Sequence, residues 1–366
     1  MSEQSKLSAH QLMVISVFFT IGSAILVIPA VMAHFAKQDA WIAAVIGVGA
    51  GMLSVWIITA VGVQFPKRTL IEIIEAALGR WPGKIISLWL FGTIFLCSPS
   101  VVLFVLGNFM VTQMMPETPV QSLQILFALI VVMGARLGLE TLARAAELLF
   151  PFFAVLYVLL VVSASPEIKI ANLQPLFETD LASLGSASLF FMCTLNMPIV
   201  VLLMIFPSMS PPLRARKAIF TGSLIGSLAM AVIVLVTILV FGPDFTAGHF
   251  FPSYELAQKI RIAGFFQRFE VIIAFLWILS LYFRLTLYIY CTATAAAQIF
   301  RLKDHRPLIL PIGMLLVVMP TLIFPNIAYE QTYELKTWIP YTLSVGLLLP
   351  LLLLIVHGLR KALVSR

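Results

Sequence analysis

Charge is scarce in this sequence. Lys, Arg, Asp and Glu make up 11% of its 366 residues, against 61% that are hydrophobic. Soluble domains carry about a quarter charged residues, so this composition excludes an ordinary water-soluble fold. Extended polar stretches are also missing, and the intervals between apolar runs leave no room for a separate soluble domain. Strand-type alternation is weak, which argues against an outer-membrane barrel. Cysteine is limited to Cys97, Cys193 and Cys291. These are odd in number, lie in apolar runs and lack metal-ligand spacing, so they read as small core residues. The five histidines fall near the ends of apolar runs or in loops. No H-x-x-x-H pair and no nucleophile–base pair occurs within a run, so neither an enzyme nor a cofactor is expected. The first apolar run is too long for a signal peptide and no A-x-A site follows it.

What the chain does have is a series of runs of membrane-crossing length. Ten spans are expected, at about 12–35, 41–63, 85–115, 123–139, 142–163, 184–206, 219–241, 269–300, 308–324 and 338–356. The chain thus reads as one integral membrane domain over residues 1–366. Lys37, Lys169, Lys259, Arg261, Arg268 and Lys336 fall on one side and Arg284 inside a span, while the rest of the 23 Lys and Arg fall on the other. The positive-inside rule then puts both termini in the cytoplasm, with Lys67, Arg214 and Lys303 inside and Glu178, Lys259 and Glu334 outside. The net charge of +7 is accounted for by these loops, so no nucleic-acid partner is implied. Membrane lipid is the expected surrounding partner.

The first span is interrupted. Gly22 and Ser23 are weak helix formers, and Pro29 cannot donate to the carbonyl of Ile25. Lipid does not satisfy freed backbone groups, so such a break must face protein or a polar cavity. The sixth span carries a second interruption, Phe191-Met192-Cys193-Thr194-Leu195-Asn196-Met197-Pro198, with Pro198 freeing the carbonyl of Thr194. Two sets of five spans, each led by a broken helix, point to an inverted repeat (about 11–165 and 183–358) around a mid-membrane site. The expected ligand-binding residues are Gly22, Ser23, Ala24 and Ile25 with Phe191, Met192, Cys193 and Thr194, and Ser98 of the Ser98-Pro99-Ser100 kink nearby. Arg284, deep in span eight, is the expected conformational switch, since a charge at that depth is costly.

Smaller features complete the reading. Thr69 and Glu72 have capping-box spacing ahead of a short amphipathic helix that Gly79 can end. Gly47 and Gly51 form G-x-x-x-G, a close-packing signal. Glu140, Arg144 and Glu147 share one face at the membrane surface. The interval 242–268 is long enough for a short helix, with Leu256, Ile260, Phe265 and Phe266, to cover a vestibule. No Asp or Glu is expected at mid-depth.

The order of motifs resembles the endospore germination receptor B-subunit family of the amino acid–polyamine–organocation transporter superfamily. The carrying residues are 7–12 (LSAHQL), 21–26 (IGSAIL), 69–74 (TLIEII), 78–79 (LG), 82–84 (PGK), 138–147 (GLETLARAAE), 172–175 (NLQP) and 206–207 (FP). The sixth span departs from that family, which often carries a Gly-Glu pair near the break. The resemblance implies an all-α membrane protein with a LeuT-like 5+5 fold, helices 1 and 6 interrupted, in the spore inner membrane. It further implies a small nutrient germinant, typically an amino acid, and signalling through A and C subunits. An ion-coupled amino-acid permease and a structural or conducting subunit are the alternatives.

Overall fold

A computed structural model describes residues 7–260 and 268–364. Among them there are helices and turns and no strand. Ser8 starts α1 (Ala9–Ile21): its hydroxyl accepts from the Gln11 amide at 3.1 Å while Gln11 Oε1 accepts from the Ser8 amide at 3.1 Å, a reciprocal capping box. Helix α2 (Ala24–Ala36) follows after two residues and joins α3 (Ala40–Gln64) through a 3-10 turn at Lys37–Asp39. The expected box at Thr69 and Glu72 caps α4 (Leu70–Leu78), and Gly79 at φ +91 passes directly into α5 (Arg80–Leu90). That run continues through a π-helical turn at Phe91–Cys97, α6 (Ser98–Phe109) and a second π turn at Met110–Met114. The irregularity expected at Ser98-Pro99-Ser100 is therefore a π turn just ahead of the proline.

Then come α7 (Val120–Leu137), α8 (Leu139–Ser163) and α9 (Leu181–Leu195). Asp180 caps α9 by accepting from the Ser183 amide at 3.0 Å, and that backbone bond holds its carboxyl below the usual range. An eight-residue 3-10 helix, Met197–Met204, precedes α10 (Pro212–Phe241). Two short helices, α11 (Pro243–Gly248) and α12 (Pro252–Lys259), occupy the long interval before α13 (Glu270–Ile299). Leu256 and Ile260 are buried there as expected; Phe265 and Phe266 lie outside the described residues. After α14 (Arg306–Ile323), the chain ends in one run: α15 (Ile327–Tyr333), a π turn at Glu334–Trp338, α16 (Ile339–Leu343), a π turn at Ser344–Leu348 and α17 (Leu349–Val364).

Nine helical stretches among the described residues are long and apolar enough to cross a membrane, one being residues 24–64; α1 is a shorter apolar helix. The outward faces are apolar. On α8, Leu148, Phe152, Val155, Leu159 and Val162 are exposed at helical spacing, a stripe that water would penalise and hydrocarbon accepts. Inside, α13 gives the largest share of the core, with α1, α2, α3, α10 and the 3-10 segment packed around it. The G-x-x-x-G of α3 packs against the second break. A Cβ at Gly47 would lie 2.9 Å from Phe191, and Gly51 makes room for the Asn196 side chain, so the small residues set the approach of α3 and α9.

Candidate functional site

The first break is a matter of one dihedral. Gly22 adopts φ +37, in the half of conformational space where a Cβ is unwelcome, and α1 stops there. Pro29 sits inside α2 without interrupting it. The carbonyls released at the break are received by α13: Ser280 Oγ donates to Gly22 O at 2.8 Å and Trp277 Nε1 to Ser23 O at 3.2 Å. Trp277, Ser280, Arg284 and Tyr288 lie three or four residues apart, so one face of α13 is turned to the break.

Arg284 is 2% exposed. Its side chain occupies the space that a Cβ on Gly22 would need. Its Nε and Nη1 have no hydrogen-bond partner among the described residues. The guanidinium carbon instead lies 5.3 Å from the Phe19 ring centroid and 6.0 Å from that of Tyr288, which offsets part of the cost of burying the charge. The carbonyls of Gly22 and Ser23 are already taken by Ser280 and Trp277. Tyr288 Oη, Ser98 Oγ and Thr286 Oγ1 are also buried without a partner among the described residues.

The second break is sharper than expected. Helix α9 runs to Leu195, so Phe191, Met192, Cys193 and Thr194 are its last turn, and Asn196 marks the change to 3-10 geometry. Pro198 has no amide to give back, and the 3-10 helix continues from there. Asn196 Nδ2 donates to Ser227 Oγ at 3.0 Å. Of the expected binding residues, Ser23, Ala24 and Thr194 meet around a cavity of ≈ 30 Å³, which Val101, Val102 and Phe190 also line. Gly22 is covered by Arg284, Ile25 is core and Phe191 packs on Gly47. Met192 and Cys193 lean on Ile339, Leu343 and Leu347. Ser98 is 2% exposed and lies one turn from Val101 and Val102.

Two residues at this cavity were not expected. Glu330 and Glu334 line it, whereas the sequence suggested a loop before a span at 338 and no acidic residue at depth. The last helix begins eleven residues earlier than expected, at Ile327, because the polar stretch around Tyr329 to Lys336 hides a helix from a hydropathy window. The i, i+4 spacing of the two glutamates was the available signal. Glu334 also borders a larger recess of ≈ 270 Å³ with Val27, His34, His249 and Gln331. Ala247, Gly248, His249 and Phe250, at the end of α11 and just after it, form one wall of the recess, while Phe109 packs against Phe251 and Tyr254 at 5.0 and 5.1 Å and against Trp277 at 4.7 Å.

At the other end of α1, Glu147 of the expected charged face pairs with His10 Nδ1 at 2.9 Å and accepts from the side-chain Nε2 of Gln11 at 3.0 Å. It therefore fixes the start of α1 on α8. No group of three or more His, Cys, Asp or Glu suited to a metal ion occurs among the described residues.

Comparison with known proteins gives a consistent result. The family model described as "Spore germination protein" matches residues 6–332. Spore germination protein KB of Bacillus subtilis (strain 168) is 28% identical, covering 98% of this chain and 96% of that protein. The putative spore germination protein YfkT of the same organism is 29% identical, covering 96% of each. Among solved structures, Mhp1, a nucleobase-cation-symport-1 family transporter in a closed conformation with bromovinylhydantoin bound, superposes with a TM-score of 0.59. It is 13% identical, covering 93% of this chain and 77% of Mhp1, and this likeness identifies a LeuT-like fold. The chain is an all-α integral membrane protein of the germinant-receptor or permease type, and it belongs to the spore germination protein family, the germination receptor B-subunit family that its motifs resemble.

Proposed function

We propose that this protein is the B subunit of a spore germination receptor. It binds a small nutrient germinant, an amino acid, at the first helix break and passes the signal to A and C subunits in the spore inner membrane. The observation that carries this reading is the small cavity at which Ser23 and Ala24 of the first break meet Thr194 beside the second, sized for the head of a ligand, together with the ≈ 270 Å³ recess that shares Val27 and Glu334 with it and has room for the rest. Broken helices offer amide donors and carbonyl acceptors that an unbroken span withholds, and a zwitterion needs both. In this reading α1 and α2 form one crossing, giving ten in two sets of five, with both termini cytoplasmic and the α12 face outside. Enzymatic chemistry is not part of the proposal.

The second reading is an ion-coupled amino-acid permease. It is favoured by the two glutamates at the cavity, Glu330 buried and Glu334 half-buried, and by the transporter fold. The experiment that separates the two uses purified protein in lipid vesicles with a panel of amino acids. A receptor subunit should show a saturable rise in unfolding temperature with one or a few nutrients and no gradient-driven accumulation. Accumulation inside the vesicles would establish the permease instead. No thermal response and no uptake for any nutrient would overturn both.

A further inference from the structure

The acidic pair belongs to a built site. Glu330 and Glu334 are one helical turn apart and line the same ≈ 30 Å³ cavity. Glu330 is 1% exposed, and its Oε2 has no hydrogen-bond partner among the described residues. Opposite, on α9, Thr194 is 8% exposed, lines the same cavity and carries an Oγ1 that is also without a partner among the described residues. No Lys or Arg is among the described residues lining this cavity or the recess beside it. Two carboxyl groups one turn apart, with no Lys or Arg among the described lining residues and His34 and His249 as the basic groups on the recess wall, favour an external positive charge. The volume admits a group the size of a water molecule, for which roughly 10–15 Å³ suffices. Val101, Val102 and Phe190 wall the cavity and exclude bulkier heads. Glu334 and Val27 also border the ≈ 270 Å³ recess, so the approach runs from the recess past Glu334 to Glu330.

We propose that Glu330, Glu334 and Thr194 form a binding site for a compact monovalent cation, either an ammonium head or an alkali ion, reached through the recess. The carboxylates supply charge and Thr194 a neutral oxygen, a donor set suited to hard cations and to N–H donors alike. The site rests on the cavity alone and stands whether the chain signals or transports.

The test is thermal unfolding of the full-length protein in lipid vesicles at constant ionic strength. The chlorides of sodium, potassium, methylammonium and N-methylglucamine are compared, the last being too large for the cavity. A small cation should raise the midpoint saturably relative to N-methylglucamine. Glu330→Gln should raise its half-saturating concentration roughly tenfold or more, the loss of one charge-assisted contact. Thr194→Val should weaken it less. A response to methylammonium alone identifies an ammonium head, a response to sodium or potassium alone identifies an alkali ion, and a response to both supports the shared site. If Glu330→Gln does not accumulate, Glu334→Gln carries the same expectation. Equal midpoints in all four salts, or an unchanged half-saturation in whichever glutamine variant folds, would overturn the proposal.

Discussion

Gly22→Val is expected to abolish the germination response while leaving protein in the membrane. Two effects act at once. The residue holds φ +37 with ψ −120, a sparsely populated region open to glycine that costs an L-amino acid roughly 1–3 kcal/mol and a β-branched one more. In addition, its Cβ would meet the Arg284 side chain, with Nε at 3.0 Å and the Cδ and Nη1 atoms closer still. Arg284 is walled by Phe19 and Tyr288, so it cannot give way without disturbing the face of α13 that holds the Gly22 and Ser23 carbonyls. The outer helices do not depend on that contact and should still insert. Gly22→Ala meets the same atoms without the β-branch and should give a partial response. Spore germination against nutrient concentration, with immunoblots for abundance, reads the result. Normal sensitivity in a well-expressed Gly22→Val strain would contradict the assignment of the break as the functional centre.

The second large effect is expected at Arg284. A guanidinium at this depth costs about 3 kcal/mol on insertion scales, and two of its nitrogens have no partner among the described residues. A side chain retained at that cost, against the one glycine that breaks α1, fits a group that awaits a partner in another conformation or a ligand carboxylate. Arg284→Lys keeps the charge but loses the planar fork and the stacking over Phe19, and it should impair signalling despite its conservative look. Arg284→Met removes the buried charge at similar volume, so the protein should accumulate at least as well as the wild type and respond poorly. Wild-type responses from both variants would reduce Arg284 to a packing residue. Failure of Met alone would make charge the requirement, and failure of both at normal abundance would make the directed donors the requirement.

Much of this was legible in the sequence wherever one residue type forces one geometry. Gly22 marked the first break because few other residues tolerate its dihedral. The capping box of Thr69 and Glu72 marked the start of α4, and Gly47 and Gly51 marked a close helix approach. What was not legible depended on tertiary packing. That Arg284 lies on Gly22 follows from how α13 crosses α1, which no spacing encodes. The last turn of α9 divides its side chains among the cavity, α3 and the final helix, so adjacency in sequence overstated the binding set: Thr194 faces the cavity while Phe191, three residues away, fills the notch at Gly47. The glutamates of the last helix were missed for the opposite reason. Their charge lowered the local hydropathy and made the first turns of a membrane-length helix look like a loop, although a buried carboxyl such as Glu330 in such a helix is itself a functional signal.

The most direct measurement asks whether nutrient occupies the first break. In a background with Cys97, Cys193 and Cys291 replaced by alanine, Ser23→Cys is reacted with a small thiol reagent with and without saturating germinant, and Gly248→Cys on the recess rim serves as the exposed control. The account predicts that germinant slows modification at position 23 and leaves position 248 unchanged. Equal rates at position 23 with and without germinant, in a variant that still germinates in response to it, would contradict the claim that the ligand binds at the break.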